Sequence, residues 1–279
     1  MKTITEKQIK DAVAGICKQA NLKLPDDVYQ ALKTYHKNET WPLAQESLQL
    51  LEDNLEIADR EQIPICQDTG AACVFVELGN DVHIDGDLYA AINEGVKEAY
   101  EVNYFRKSIV GDPIRRGNTG TNTPAFISLE LKQGDSLKLT VMPKGFGSEN
   151  MSRLGMLKPS DGEKGVLDFI VETVKLAGPN PCPPIVIGVG VGGSFDKVAY
   201  LAKKALMRPI GEANKDPYYA DLEKQLLERI NALGIGPQGF GGRTTCLNVA
   251  IEQYPTHVAG LPVAVNVSCH ATRRASVVL

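Results

Sequence analysis

The chain has 279 residues, of which 43% are hydrophobic and 23% charged, a composition typical of a globular protein. Thirty Lys and Arg against 34 Asp and Glu give a formal charge of −4, which argues against a nucleic-acid binder because such proteins carry a basic excess. The charged N-terminal segment MKTITEKQIK lacks the apolar run of a signal peptide, and no apolar stretch reaches the ~18 residues that span a bilayer. We therefore expect a cytoplasmic protein whose six Cys are core residues, metal ligands or nucleophiles rather than disulfides.

Helical patterns dominate the first 60 residues. Thr5 suits the N-cap of a first helix, Pro25 precedes a second, and Pro42 opens a third that runs to Arg60. Strands and helices then alternate without an internal repeat. The predicted strands are 71–78, 125–131, 137–142, 185–189 and 261–267, and the predicted helices are 88–100, 166–177, 195–206 and 221–233.

Residues 132–136 suit the turn of a hairpin between two of these strands. The order of elements predicts a mixed α/β (α+β) fold, with a helical N-terminal portion of about 60 residues followed by mixed sheets with flanking helices. We expect residues 1–279 to form a single domain.

The segment Gly188–Gly193 satisfies the pattern G-x-G-x-x-G between a predicted strand and a predicted helix. A nicotinamide site also needs an acidic residue at the end of the next strand, ~20 residues on. Glu212 is the nearest candidate, but it follows a helix exit rather than a strand. The pattern therefore favours a strand–helix turn without a cofactor, or one whose N–H groups hold a small anion.

The six Cys occupy two kinds of surroundings. Cys17 and Cys73 lie in apolar periodic segments and are expected in the core, and core packing is also favoured for Cys246. The others lie on polar, non-helical segments beside ionisable residues; they are Cys66, Cys182 and Cys269. Because no C-x-x-C or H-E-x-x-H is present, a metal site would have to be assembled by the fold from distant Cys, and the residues alone leave such a site and core packing both open.

Several longer segments carry a family resemblance. They are Pro64–Gly70 (PICQDTG), Arg115–Gly120 (RRGNTG), Lys144–Asn150 (KGFGSEN), Gly190–Lys197, Gly239–Thr245 (GFGGRTT) and Cys269–Arg274 (CHATRR). With these segments in this order, the chain resembles the α subunit of the two-subunit class I fumarate hydratases. These belong to the iron–sulfur hydro-lyase family, which also includes L-tartrate dehydratase.

The resemblance implies a set of site residues. Cys66, Cys182 and Cys269 would hold a [4Fe–4S] cluster with one iron open to substrate. Asp68 and His257 would form a proton-handling pair near the substrate hydroxyl. The carboxylate-binding residues would be Gln67, Arg106, Lys144, Gly145 and Gly147. His270 ranks lower, because a side chain directly after a ligand on an extended strand would face away from it.

The resemblance also implies a partner. The base that removes the carbon-bound proton would lie on a separate β subunit, and we expect a heteromer such as a dimer of αβ. The leading functional hypothesis is a hydro-lyase that interconverts fumarate and (S)-malate, and the nearest alternative is an L-tartrate dehydratase, another enzyme of C4 dicarboxylates. Two other classes stay open: an NAD-dependent oxidoreductase built on Gly188–Gly193, and a non-catalytic metal-binding subunit such as a structural zinc protein.

Overall fold

The computed structural model describes residues 2–279, which divide into two compact units. Unit 1 comprises Met1–Pro25, Leu55–Phe146 and Arg273–Leu279, and unit 2 comprises Asp26–Asn54 and Gly147–Thr272. A single domain over 1–279 stays a prediction, and each unit is described by itself. No helix within residues 2–279 is long and apolar enough to cross a lipid bilayer.

Helices and strands alternate over most of the chain, which confirms the predicted mixed fold class. The helices are α1 (Glu6–Leu22), α2 (Asp26–Asn38), α3 (Pro42–Glu61), α4 (Leu88–Val102), α5 (Phe146–Glu149), α6 (Gly162–Ala177), α7 (Phe195–Ala205) and α8 (Pro217–Asn231). The strands are β1 (Lys2–Thr5), β2 (Ala71–Gly79), β3 (Val82–Asp85), β4 (Phe126–Lys132), β5 (Leu137–Lys144), β6 (Arg153–Leu157), β7 (Ile185–Gly192), β8 (Cys246–Tyr254), β9 (Leu261–Ser268) and β10 (Ala275–Val278).

Unit 1 is built on a four-stranded mixed sheet with the order β10-β5-β2-β4, and β1 pairs with β3 in a small parallel ribbon. Helices α1 and α4 supply apolar side chains to the core, among them Ile9, Val13 and Ile92, which are fully buried. Thr5 caps α1 as predicted, in a capping box with Gln8. Burial of these faces fixes α1 and α4 against the sheet.

The predicted hairpin of β4 and β5 is wrong, because β2 lies between them, parallel to β4 and antiparallel to β5. Strand β2 is almost continuously buried and needs a partner on each side, whereas β4 is a largely exposed edge strand. The short connection passes over the end of β2, where the N–H of Gly79 donates to Ser136 O (2.9 Å) and the N–H of Asn80 donates to Lys132 O (2.9 Å). A tight turn therefore joins strands that are not neighbours.

Unit 2 is built on a second four-stranded mixed sheet with the order β6-β9-β7-β8. Ile185, Ile187 and Val189 of β7 face a core that includes apolar residues of α6 and α8. Gly188 and Gly190 lie on the opposite face of β7, and α7 packs on them. This alternation follows the two-residue period of a strand.

The glycines of the G-x-G-x-x-G pattern allow close packing of α7 on β7. A Cβ at Gly188 would stand 2.1 Å from the carbonyl oxygen of Ala202, and one at Gly190 would stand 2.2 Å from that of Val198. At the start of α7, Ser194 Oγ donates to the carboxylate of Asp196. That hydrogen bond, together with those from the backbone N–H groups of Asp196 and Lys197, lowers the pKa of Asp196. The first turn of α7 thus already has an anion of its own.

Candidate active site

The exposure of the six Cys separates them into the two groups expected. Cys17, Cys73 and Cys246 are buried, and burial raises the pKa of the Cys17 and Cys246 thiols to about 12. Cys182 is exposed, and Cys66 and Cys269 are half-buried. Since the thiolate is the form that binds metal, the second group is chemically suited to the task and the first is not.

In unit 1, Cys66 lies on the loop between α3 and β2, and this loop is held at several points. The N–H of Ile65 donates to Asn21 O (3.0 Å), and Thr69 Oγ1 donates to Arg106 O (3.0 Å). The hydroxyl of Tyr100 lies 2.6 Å from Thr69 O, and burial raises the pKa of Tyr100, so it remains a protonated donor. The backbone on which Cys66 lies is therefore fixed by neighbours in its own unit.

The carboxylate of Asp68 is held by two backbone N–H groups. Oδ1 accepts from Gly70 (3.0 Å) and Oδ2 accepts from Phe146 (3.1 Å). A Cβ at Gly145 would stand 3.1 Å from Oδ2, so the glycine permits this close approach. Lys144, which precedes the turn, is only 1% exposed. Asp68 thus lies beside the Lys144–Gly145 turn, although 76 positions separate Asp68 from Lys144 in the sequence.

Arg273 belongs to this cluster and was missed as an individual site residue. It is 2% exposed, and its Nη2 donates to the backbone carbonyl of Asp68. Within residues 2–279 its Nε and Nη1 have no hydrogen-bond partner. The sequence contained a signal, because Arg273 is part of the segment CHATRR, but Arg273 and Arg274 look equivalent there. A buried guanidinium with two donors left over is a candidate for water or ligand binding.

In unit 2, the segments that carry Cys182 and Cys269 come together. The N–H of His270 donates to Cys182 O (3.3 Å), and Nδ1 of the His270 ring lies 3.0 Å from the same oxygen. The extended strand assumed for His270 is wrong, because β9 ends at Ser268 and residues 269–272 form a turn. Thr272 Oγ1 closes this turn by donating to Cys269 O (2.8 Å).

The remaining predicted residues are exposed. His257 lies on the loop after β8, where its Nδ1 accepts from the N–H of Ala259 (3.2 Å), so the neutral ring carries its proton on Nε2. Gln67 and Arg106 are exposed in unit 1, and Gly147 is exposed in unit 2. Because Asp68 and His257 belong to different units, their pairing stays a prediction, as do the roles of the other residues.

Within residues 2–279, no three His, Cys, Asp or Glu side chains form a group that could hold a metal ion. A cluster makes a different demand, since each thiolate binds its own iron and the ligands need not converge on one ion. The donor set fits such a group: it comprises three thiols that are not buried, two of them on segments joined by hydrogen bonds. The convergence of all three stays a prediction.

Comparison with known proteins identifies the family. The family model described as fumarate hydratase (Fumerase) matches residues 10–278. A protein of Methanocaldococcus jannaschii named putative L(+)-tartrate dehydratase subunit alpha is 43% identical over 275 residues, covering 96% of each chain. The L(+)-tartrate dehydratase subunit alpha of Escherichia coli is 34% identical over 270 residues, covering 96% of this chain and 89% of its own. That of Shigella boydii serotype 4 is 33% identical over 275 residues, covering 98% and 91%.

These matches define the protein as an enzyme of the hydro-lyase class. The chain belongs to the fumarate hydratase (Fumerase) family, as an α subunit of its class I fumarase and tartrate dehydratase branch. The predicted family resemblance is confirmed.

Proposed function

We propose that this chain is the cluster-bearing α subunit of a fumarate hydratase, which adds water reversibly to fumarate to give (S)-malate. The single observation that supports the proposal best is the arrangement around Asp68. In unit 1 this carboxylate lies directly after Cys66-Gln67 and beside the Lys144–Gly145 turn. A thiol, an acid–base group and cationic or N–H donors for a carboxylate are therefore neighbours in one part of the fold.

Cys66, Cys182 and Cys269 are the proposed ligands of a [4Fe–4S] cluster. When bound, the cluster would supply an open iron as a Lewis acid for the substrate hydroxyl and carboxylate oxygens. The greater exposure of these three thiols, against the burial of Cys17 and Cys246, supports the choice of ligands. The role of the chain is then to hold three thiolates and leave one coordination position open.

In the dehydration direction, the C2 hydroxyl leaves with a proton as water and the C3 proton is removed by a base. Asp68 and His257 are the proposed residues that handle the proton of the hydroxyl. His257 supports the role, because its Nδ1 is engaged by Ala259 and its Nε2 is the position left to exchange a proton with substrate. For Asp68, the hydrogen bonds from Gly70 and Phe146 fix the direction in which the carboxylate points.

Carboxylate binding is proposed for five further residues. Arg106 is suited by its planar fork, which can bind a carboxylate with two parallel hydrogen bonds. Lys144 would contribute charge, and the other members of the set are Gln67, Gly145 and Gly147. In unit 1, Arg106 is linked to the Cys66 loop through the hydrogen bond from Thr69 to its carbonyl.

The relatives are named as α subunits, which supports a partner of the fumarase β type for this chain as well. We propose that this β subunit supplies the base for the C3 proton and that the enzyme is a heteromer such as a dimer of αβ. A cytoplasmic location and the [4Fe–4S] cofactor are parts of the same proposal.

L-Tartrate dehydration is the second candidate, and the names of the relatives favour it. Tartrate carries one more hydroxyl than malate, so the two substrates differ in what must be hydrogen-bonded at C3. The test is to purify the chain with its β subunit, reconstitute both anaerobically with ferrous iron and sulfide, and follow fumarate formation from (S)-malate and oxaloacetate formation from L-tartrate. Turnover of malate supports the leading proposal, and turnover of tartrate without malate would replace it.

A further inference from the structure

The backbone of Cys182 is unusual for a residue with a side chain. Cys182 has φ = 55°, in the left-handed region that only glycine adopts readily. It lies between α6 and β7, in a loop with four prolines at positions 179, 181, 183 and 184, and its N–H donates to Pro179 O (3.0 Å). A conformation of this kind persists only where neighbouring groups hold it.

His270 supplies two donors to one acceptor in this loop. Its backbone N–H lies 3.3 Å from Cys182 O, and its ring Nδ1 lies 3.0 Å from the same oxygen. A carbonyl oxygen carries no hydrogen, so Nδ1 must be the protonated nitrogen. Since His270 follows Cys269 directly, this contact links the backbones of two proposed ligands.

Gln238 holds the next carbonyl along the chain. Its N–H and its side-chain Nε2 both donate to Pro183 O, at 2.8 Å and 2.7 Å. Gln238 also has a positive φ of 52°, and the next residue, Gly239, is packed so closely that a Cβ there would stand 2.4 Å from Pro179 Cβ. Nε2 lies 3.3 Å from His270 Nδ1, a packing contact because both nitrogens carry hydrogens.

We propose that His270 and Gln238 are positioning residues that hold the Cys182 loop in the conformation that presents its thiol as a ligand. His270 acts through its Nδ1–H and N–H on Cys182 O, and Gln238 acts through its two donors on Pro183 O. The inference rests on the proposed function for the identity of the ligand. Every donor and acceptor in these hydrogen bonds is a residue of this chain, so they can be tested separately from the cofactor.

The two amide substitutions of His270 distinguish the donor from the bulk of the ring. In His270→Asn the side-chain NH₂ takes the place of Nδ1 and keeps the donor to Cys182 O. In His270→Gln the amide reaches the place of Nε2 instead. Gln238→Ala removes the side-chain donor to Pro183 O. His83→Gln, at an exposed His on β3, is the matched control.

The first measurement uses the protein with all metal removed. Amide hydrogen exchange at Cys182, Gln238 and His270 should accelerate by at least about tenfold in His270→Gln and Gln238→Ala, and should stay near wild type in His270→Asn and His83→Gln. Exchange in the core of unit 2 should be unchanged, which excludes general unfolding.

The second measurement uses the reconstituted αβ complex and follows iron release to a chelator by absorbance under anaerobic conditions. Iron should leave at least about tenfold faster in His270→Gln and Gln238→Ala, with His270→Asn close to wild type. Equal rates in His270→Gln and wild type, or equal defects in His270→Asn and His270→Gln, would overturn the inference. If wild type itself takes up no iron, the ligand assignment is wrong, and the exchange data alone decide whether the hydrogen bonds position the loop.

Discussion

Glu39 connects the start of α3 to the segment GFGGRTT in unit 2, and its substitution gives a quantitative test of that connection. Its Oε1 accepts from the N–H groups of Thr40 (2.9 Å) and Trp41 (3.1 Å). Its Oε2 accepts from the N–H of Arg243 (2.9 Å) and from both the N–H and the hydroxyl of Thr244 (3.0 and 2.8 Å). Glu39 has 3% of its surface exposed and accepts five hydrogen bonds.

The substitution Glu39→Gln keeps the shape of this side chain and removes its charge. The one remaining side-chain oxygen should stay with the donors of Arg243 and Thr244, which are the more buried set. The new NH₂ group then faces the N–H groups of Thr40 and Trp41. Losing the hydrogen bonds from Thr40 and Trp41, together with the weakening of the others to neutral ones, should lower the free energy of unfolding by about 3 kcal/mol. Glu46→Gln, at an exposed position of α3, should change it by less than about 0.5 kcal/mol.

Urea unfolding followed by Trp41 fluorescence measures this effect where it arises. Trp41 is the only Trp of the chain, and its Nε1 donates to Phe240 O (3.0 Å), within the same segment. A loss of less than about 1 kcal/mol relative to Glu46→Gln would refute the reasoning, because it is too small for two lost hydrogen bonds to a carboxylate together with three weakened ones.

The difference in free energy of unfolding between wild type and Glu39→Gln should depend on pH with a definite sign. Burial opposes the charge of Glu39, but the hydrogen bonds led by those from Trp41 and Thr244 outweigh it, so the pKa of Glu39 lies below its ordinary value of 4.5. The carboxylate therefore stabilises the fold fully above the unfolded-state value, and this contribution is lost as the pH falls through the folded-state pKa. The difference between wild type and Glu39→Gln should be constant between about pH 6 and 8 and should shrink below about pH 4.5. A difference that grows in acid would show that the charge is not stabilising.

Three further substitutions, two of them with a control substitution, test the packing and the site. Gly190→Ala should destabilise unit 2 by about 3 kcal/mol or more, since the new Cβ would stand 2.2 Å from Val198 O. The control Gly15→Ala, on the exposed face of α1, should stabilise the protein by about 0.5–1 kcal/mol. Thermal unfolding measures both effects, and an unaltered midpoint for Gly190→Ala would contradict the close packing of α7 on β7. Cys182→Ser should abolish iron retention after anaerobic reconstitution, while Cys246→Ser should reduce only stability; the reverse pattern in iron analysis would show that the ligands are misassigned. Arg106→Lys should raise KM roughly tenfold with the protein still folded, because the planar fork is lost, and an unchanged KM would remove Arg106 from the carboxylate site.

The long elements could be predicted because their patterns reflect burial directly. The run at β2 and the apolar face of α4 lie within one or two residues of their predicted bounds, since each buries a continuous face or stripe. The strands that were missed include β1, β3 and β10, which are only four residues long, and β8, whose alternation is interrupted by Asn248 and Glu252. Short edge strands form because a neighbouring strand offers hydrogen bonds, and the local sequence does not show which segment will be that neighbour. The same limit explains the false hairpin: the turn at 132–136 was recognised, but not that β2 lies between the strands it joins.

Some features of the candidate site could also be predicted from the sequence, and others could not. Which thiols are suited to bind metal could be predicted, because polar and proline-rich surroundings already distinguish Cys66 and Cys182 from the buried Cys17. The residues proposed to position those thiols could not be predicted from the sequence. Gln238 acts on Pro183 O across 55 residues and His270 acts on Cys182 O across 88, and these acceptors are backbone carbonyls, which carry no sequence signature. The assumption made about His270 failed for a definite reason: the alternation of side chains holds only while a strand continues, and β9 ends one residue before Cys269. If Cys269 and Cys182 are ligands as proposed, the residue that follows a ligand just beyond a strand end can turn back and hold the loop of a second ligand, and a positioning residue should be sought there.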